Sequence, residues 1–220
     1  MYLQSTPKYD DAETVYKAVI NDLTEAATMA TTLDPIAVSP GDQDIFYGGN
    51  MDQWAAFANT IKLRMLIRLS GTGQDAFIND EISKINANGA GYVTSTVVAN
   101  PGYSDDASKQ TPIWGSYGFA PNAGSRTDSH DLTVASDYMM EYLEATSDPR
   151  MFFLFNEADD GGYLGAAQST TLPVPEFSSA KLSHIGSGIL KGPDADQPVL
   201  LLSESLFLQA EAMLRGYIPG

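Results

Sequence analysis

The chain has 220 residues, 28 Asp and Glu against 12 Lys and Arg for a formal net charge of −16, and no cysteine. A length of this order suits one domain able to bury roughly 70% of its unfolded surface, and the charge disfavours a nucleic-acid partner because phosphate backbones are repelled. Without cysteine, disulfides, zinc–thiolate centres, iron–sulfur clusters and a thiol nucleophile are excluded, and no apolar run approaches the ~18 residues of a membrane span.

Residues 9–33 read as the first helix. Asp10 with Glu13 three residues on suggests a capping box, and Val15, Val19, Leu23, Ala26, Ala27 and Ala30 recur at three- and four-residue steps, the spacing of one buried face. Asp34-Pro35 is a stop signal. The strongest helix covers 51–70, with Asn50 and Gln53 as a cap. Trp54, Ala58, Ile61, Met65 and Leu69 form one apolar stripe and Leu63, Leu66 and Ile67 cover much of the rest. Gln53, Thr60, Arg64 and Arg68 make its polar stripe. A helix apolar on two sides belongs inside a stack, and Lys62, which falls in the apolar arc, needs a partner there.

A shorter helix over 75–88 turns Phe77, Ile78, Ile82 and Ile85 inward and exits at Gly89. Residues 89–130 then carry prolines, glycines and serines with four aromatics, Tyr103, Trp114, Tyr117 and Phe119, and show no helical period. Long loops of this kind tend to be functional or disordered. Helix returns at 136–147 with Tyr138, Met139, Met140, Tyr142 and Leu143 available for packing, breaks at Asp148-Pro149-Arg150, and gives way to a loop-rich stretch over 156–197 with short strands expected near 163–165 and 172–175. The last element, 198–215, places Leu202, Leu206, Ala210 and Met213 on one face ahead of Gly216.

Three stretches together carry a family resemblance. Asp44-Ile45-Phe46-Tyr47-Gly48-Gly49-Asn50-Met51-Asp52-Gln53-Trp54, running into Phe57-Ala58-Asn59-Thr60-Ile61-Lys62-Leu63-Arg64, resembles the "D-x-x-Y-x-G…W-x-x-F-A-N-x-L-K-L-R" helix of the SusD-like (SusD/RagB) family. Ser203-Glu204 through Ala210-Glu211-Ala212 and Arg215-Gly216 is similar to its "S-E-x-x-F-x-x-A-E-A-x-x-R-G" helix, and Asp148-Pro149-Arg150 to its "D-P-R" break. The resemblance spans roughly 44–216.

It implies a mainly α fold of tetratricopeptide-like helix pairs in a superhelical stack, with long loop excursions and few short strands. The chain reads as one domain fragment, 1–220. Its helical scaffold would be 9–89, 136–155 and 198–216, and its loop-rich ligand region 90–135 and 156–197. The function implied is that of a binding protein, not an enzyme, at the outward face of a bacterial outer membrane. It would capture oligosaccharides and deliver them to a TonB-dependent, SusC-like transporter, with no cofactor or metal and no nucleic acid. Contact with the membrane would come only through a lipid anchor. The signal peptide and lipidated cysteine that the family carries, and its continuation past the last motif, are absent from this sequence, which therefore reads as an internal piece.

The motif residues Trp54, Phe57, Asn59, Lys62, Arg64 and Glu211 are expected to be scaffold. Glu204 and Glu211 lie seven apart and so share a face; at least one ion pair or hydrogen bond is expected between them and Lys62, Arg64 or Arg68. The ligand residues are expected in the 100–130 loop. Sugars present apolar C–H faces and polar edges, so their sites combine aromatic rings with planar polar groups. Trp114, Tyr117, Phe119 and Tyr103 supply rings, and Asn122 and Arg126 supply polar partners. The competing reading has Trp114 and Phe119 as core plugs.

Enzyme readings rest on little. With only His130 and His184, a three-His metal site is excluded, no G-x-S-x-G elbow occurs, and His130-Asp131 reads as a solvated loop pair. Asp105-Asp106 and Asp159-Asp160-Gly161 could ligate calcium but read better as solvated acidic loops. Beyond glycan binding, the alternatives are a helical-repeat scaffold that binds protein, or a piece of a glycoside hydrolase or lyase.

Overall fold

In the computed structural model, residues 8–34, 36–122, 124–168 and 178–220 are described. The fold is mainly α. Among these residues it consists of eight helices, α1 (Ala12–Thr31), α2 (Met51–Arg68), α3 (Asp75–Asn88), α4 (Pro112–Tyr117), α5 (Asp128–Leu132), α6 (Asp137–Ala145), α7 (Met151–Leu154) and α8 (Leu202–Leu214), and two short paired strands, β1 (Val97–Ala99) and β2 (Gln197–Leu200). The chain divides into two units, residues 1–99 with 198–220, and residues 100–197. No helix among the described residues is long and apolar enough to cross a membrane.

The first unit is a set of tetratricopeptide-like helix pairs. Ile20 of α1, Leu63, Leu66 and Ile67 of α2, Ile78, Ile82 and Ile85 of α3 and Ala212 of α8 form one buried cluster, each large side chain contributing about 1.5–3 kcal/mol of burial. As expected, α2 lies in the interior, and Asn50 caps it by accepting from Gln53 N at 3.2 Å. Helix α3 ends at Gly89 in the left-handed conformation, φ +72°.

Several local expectations need correction. Asp11, not Asp10, caps α1, accepting from Thr14 N at 2.9 Å. The inward face of α1 runs through Tyr16, Ile20, Leu23 and Ala27, which leaves Val15 and Val19 exposed; the apolar spacing was compatible with two adjacent faces, and α2 selects one. Thr60 is buried rather than part of a polar stripe, its hydroxyl donating to Ala56 O and accepting from Val93 N at 3.0 Å. The stretch 198–201 is not helical. Pro198 cannot donate a ladder hydrogen bond, which is tolerated in an edge strand such as β2 of this two-stranded sheet, and β2 packs Leu200 with Val93 and Val97. Helix α8 turns its small residues inward: Ser205 and Ala212 are buried, while the expected face of Leu206 and Met213 points outward with Phe207 and Leu214. Small residues let α8 approach its neighbours closely.

The second unit is built on short elements. Loop 89–130 holds two helices that its composition concealed. Pro112 opens α4 at the first helical position, where its missing N–H costs nothing, and Thr127 caps α5 by accepting from His130 N at 3.1 Å. Ser136 caps α6, whose Met140 and Leu143 are buried. Asp148 ends that helix as expected, with its carboxylate accepting from Arg150 N at 2.9 Å and from the guanidinium. No strand forms at 163–165; a single bridge pairs Ser136 with Ala166. The strand expected at 172–175 lies outside the described residues.

Candidate functional site

The motif that begins at Asp44 is a structural knot. Its carboxylate accepts from Phe46 N (3.1 Å), Gly49 N (2.9 Å) and the Trp54 indole N–H (2.7 Å), and these bonds outweigh partial burial to hold the Asp44 carboxyl below its usual range. Phe46, Tyr47 and Phe57 meet Trp54 edge-on at centroid distances of 5.3, 5.2 and 5.9 Å. Asn59 and Asn88 exchange amide hydrogen bonds at 2.9 Å, and Asn59 also donates to Gly91 O. The expected ion pair between helices is present as Arg64 Nε to Glu204 Oε1 at 2.7 Å, whereas Glu211 pairs along its own helix with Arg215. Lys62 finds its partner elsewhere, at Glu81 of α3, which sequence reasoning did not single out. These residues hold a scaffold.

The expected ligand residues lie in the second unit. On α4, Trp114 and Tyr117 are one turn apart and so share a face; Trp114 is half-buried and Tyr117 is 42% exposed. The Trp114 ring leans on Phe119 at 5.5 Å, Phe119 on His130 at 5.0 Å, and His130 on His184 at 5.0 Å. Four rings thus run in a row from a partly open tryptophan to two buried histidines. Gly118 lies directly against the tryptophan: a Cβ there would stand 2.8 Å from Trp114 Cδ2.

Between Gly118 and Thr127 the chain doubles back through Ala120 N to Ser125 O (2.8 Å) and Thr127 N to Gly118 O (3.2 Å). Asn122 sits exposed on this excursion with φ +53°, a conformation asparagine tolerates. Arg126 pairs across from Phe119, and its guanidinium grips Asp159 through two parallel hydrogen bonds of 2.7 and 2.5 Å, with Asp131 at 3.6 Å. Tyr103 is half-buried, its N–H donating to Asn100 Oδ1 at 2.9 Å. The structure therefore brings Trp114, Tyr117, Phe119 and Arg126 onto one stretch of hydrogen-bonded backbone, while Asn122 and Tyr103 belong to neighbouring turns.

The histidines differ from their expected role. His130 is buried, not solvated. Its Nδ1 lies 2.8 Å from Tyr117 O, and since a carbonyl only accepts, Nδ1 carries the proton. Burial first, then the nearby His184 and Arg126, keeps its pKa below the ordinary value. His184 reaches His130 O through Nδ1 at 3.0 Å and Ser179 Oγ through Nε2 at 3.0 Å. These side chains hold the floor beneath Phe119. Hydropathy alone gave no signal for them, because a histidine reads as polar. The acidic turns are also engaged: Asp159 with Arg126, and Asp105 with Gln110 Nε2 at 2.7 Å.

The SusD-like family model described as "starch-binding associating with outer membrane" matches residues 2–220. No curated protein matches the sequence at a significant level. Among solved structures, a chitin-binding protein is 26% identical with a TM-score of 0.61, over 98% of this chain and 46% of its own. A SusD homologue from Bacteroides vulgatus is 23% identical with a TM-score of 0.65, over 96% of this chain and 41% of its own. Another from Bacteroides uniformis is 21% identical with a TM-score of 0.64, over the same shares. The chain thus spans less than half the length of each of these three structures.

Proposed function

This chain belongs to the SusD-like family, and from that premise we propose that it is the glycan-capturing part of a bacterial surface uptake system, without catalytic activity of its own. In this reading it holds oligosaccharides by ring stacking and hydroxyl hydrogen bonds and delivers them to a TonB-dependent, SusC-like transporter. It works at the outward face of the outer membrane, to which the whole protein is tied by a lipid anchor. Residues 1–220 serve as one SusD-like domain. Segments 9–89, 136–155 and 198–216 are its scaffold; 90–135 and 156–197 carry the ligand.

The observation that carries the proposal is the placement of Trp114 and Tyr117 on one face of α4. The half-open indole is braced from behind by Phe119 and the buried His130. A sugar's C–H face stacks on such a ring, and a ring already held in place loses little freedom on binding. Phe119 supports the stack, Tyr117 offers a second ring and a hydroxyl, and Asn122, Arg126 and Tyr103 supply polar edges. Arg126, already gripped by Asp159, offers the N–H groups its ion pair leaves over.

Isothermal titration of the folded chain against plant, host and microbial oligosaccharides tests this, with Trp114→Ala and Tyr117→Ala alongside. The expected result is saturable binding to one glycan class, weakened about tenfold or more in each variant, which corresponds to the loss of one stacking contact. Affinity unchanged in both variants would sink the assignment of the site.

One observation favours a second reading, a helical scaffold that binds protein. The outward row of α8, with Phe207 76% and Leu214 88% exposed, is an apolar surface of the sort that meets a partner. Failure to bind any glycan, with cooperative melting intact, would put this reading first.

A further inference from the structure

We infer that the site around Trp114 selects against acidic glycans: it takes sugars that are neutral or carry a protonated amine, and it rejects uronates and sulfated sugars. This rests on the reading of that site given above and adds the charge class of its ligand. A ring stacks on a sugar's C–H face whatever charge the sugar carries elsewhere, so the groups around the rings decide the class.

The second unit carries 14 Asp and Glu against 5 Lys and Arg. Two of those cations, Lys109 and Arg126, lie in the 100–130 loop, and both are engaged. Lys109 Nζ lies 3.8 Å from Asp106 Oδ2. Arg126 grips Asp159 through two hydrogen bonds and stands 3.6 Å from Asp131, so two carboxylates face one guanidinium. An anionic sugar would have to displace them to reach it.

Further carboxylates are fixed beside the rings without a counter-charge. Helix α5 is tied to the backbone of α4, since Thr127 Oγ1 donates to Ser116 O and His130 Nδ1 to Tyr117 O, each at 2.8 Å. It thereby holds Asp128 and Asp131 next to the turn that carries Tyr117. Asp128 is exposed and pairs with no cation among the described residues. Asp105 accepts from Gln110 Nε2 at 2.7 Å, and the same amide donates to Phe119 O at 3.2 Å, which ties Asp105 to the backbone of the ring row. An amide cancels no charge. Asp105, Asp128, Asp131 and Asp159 against Arg126 alone leave the surroundings of the rings negative. Charges within about one Debye length of a bound sugar, ~8 Å at physiological salt, are only partly screened from it. Elsewhere in the unit Arg150 is paired with Asp148, while Lys181 and Lys191 pair with no carboxylate among the described residues.

The test is isothermal titration of the whole chain at about pH 6.5, where a sugar amine is protonated and carboxylates are ionised. The probes are β-1,4-linked tetramers of glucose, glucosamine and glucuronate, and the corresponding galactose, galactosamine and galacturonate tetramers. Within a series that binds, affinity is expected to run amine above neutral above uronate, with about tenfold or more between the ends at about 20 mM salt and less at about 200 mM. Asp105→Asn/Asp128→Asn should narrow that gap about threefold and leave the neutral tetramer's affinity unchanged, because asparagine keeps the size and an acceptor oxygen. A uronate bound as tightly as the neutral tetramer overturns the inference while leaving glycan capture in place, and Lys181→Gln then shows whether Lys181 supplied the charge. A gap that the double variant leaves untouched overturns it too. Tetramer binding undiminished in both Trp114→Ala and Tyr117→Ala overturns the site assignment instead. Silence from every tetramer, with cooperative melting intact, overturns the glycan reading and this inference with it.

Discussion

The Lys62 ammonium lies 2.6 Å from Glu81 Oε2, with each side chain 1% exposed, and joins α2 to α3 inside the core of the first unit. Lys62 also donates to Thr24 Oγ1 on α1 at 2.6 Å, and Lys84 reaches the other oxygen of Glu81 at 2.5 Å. Three helices therefore share one buried charge network. Burial opposes the charge on Glu81, but the two ammoniums outweigh it and hold its carboxyl below the usual range.

Breaking this pair from one side should be severe. Glu81→Gln leaves the Lys62 ammonium buried without its carboxylate and is expected to lower unfolding free energy by about 3–5 kcal/mol, whereas Lys62→Met leaves Glu81 its bond to Lys84 and should cost less. The double variant Lys62→Met/Glu81→Leu removes both charges and should recover most of that loss. Urea unfolding followed by circular dichroism reads all three; a double variant as unstable as the worse single one would refute the account. The sign for acid follows from the depressed carboxyl: the stabilisation is complete above the unfolded-state value near 4.5 and is lost as pH falls through the folded one.

The turn before α2 depends on Gly49. Its φ is +85°, and a Cβ there would stand 2.2 Å from Ser39 Oγ and 2.9 Å from Gly41 N. Gly49→Ala meets both a disfavoured backbone conformation and a backbone atom that cannot retreat. A loss of about 2–4 kcal/mol is expected, strain and clash together, with the Asp44–Trp54 bond loosened. Gly48, also at positive φ but with open space around it, should lose only about 1 kcal/mol on the same change. Equal melting temperatures for the two variants would contradict this.

The order of α1, α2, α3, α6 and α8 was legible because α2 carries its Asn50 cap and a long apolar period, α3 exits at Gly89 and α6 stops ahead of Asp148-Pro149. What failed was the choice of face. Val15 and Val19 match the helical period as well as Tyr16 and Ile20 do, and only the position of the neighbouring helix decides between them. In α8 the rule that apolar residues go inside points the wrong way, since Ser205 and Ala212 allow close approach and leave Leu206 and Phe207 outside. The aromatic residues of the loop were legible as a group, but the row they form with His130 and His184 was not. It depends on pairings such as Val134 with His184, fifty residues apart in sequence. Glu81 was missed because, on a helix read one residue at a time, an acid is taken for surface.

His130 makes the second unit sensitive to acid. Burial keeps its pKa below the ordinary 6.5, so the unfolded chain takes up a proton that the folded one refuses. Stability is therefore full above pH 6.5 and declines as pH falls from there toward the folded value. The groups facing His130 are His184, Arg126 and Asp131; the first two oppose its protonation and the third favours it. Melting curves between about pH 7 and pH 5 should show a decline that shrinks in His130→Gln. A variant with the same slope as the parent would exclude His130 as its source.

Gly118 offers the sharpest test of the aromatic row. It accepts no side chain where it stands, because a Cβ would lie 2.7 Å from Trp114 O and 2.8 Å from Trp114 Cδ2, and its own N–H is bonded to that same oxygen at 2.7 Å. In Gly118→Ala the indole must swing off Phe119 or the last turn of α4 must open. Either movement disturbs the stacking surface, so glycan affinity should fall about tenfold, with a stability loss of about 1–3 kcal/mol. Gly115 on the same helix is the control. A Cβ there meets only Gln110 side-chain atoms, at 3.8 Å and beyond, and alanine favours a helix by about 0.5–1 kcal/mol. Gly115→Ala should therefore be neutral or stabilising and leave affinity unchanged. The Trp114 indole N–H resonance, assigned by its loss in Trp114→Phe, should move in Gly118→Ala and hold still in Gly115→Ala. If it stays in place in Gly118→Ala, the ring is not seated against that glycine, and the bracing of Trp114 on which the binding site rests would have to be abandoned.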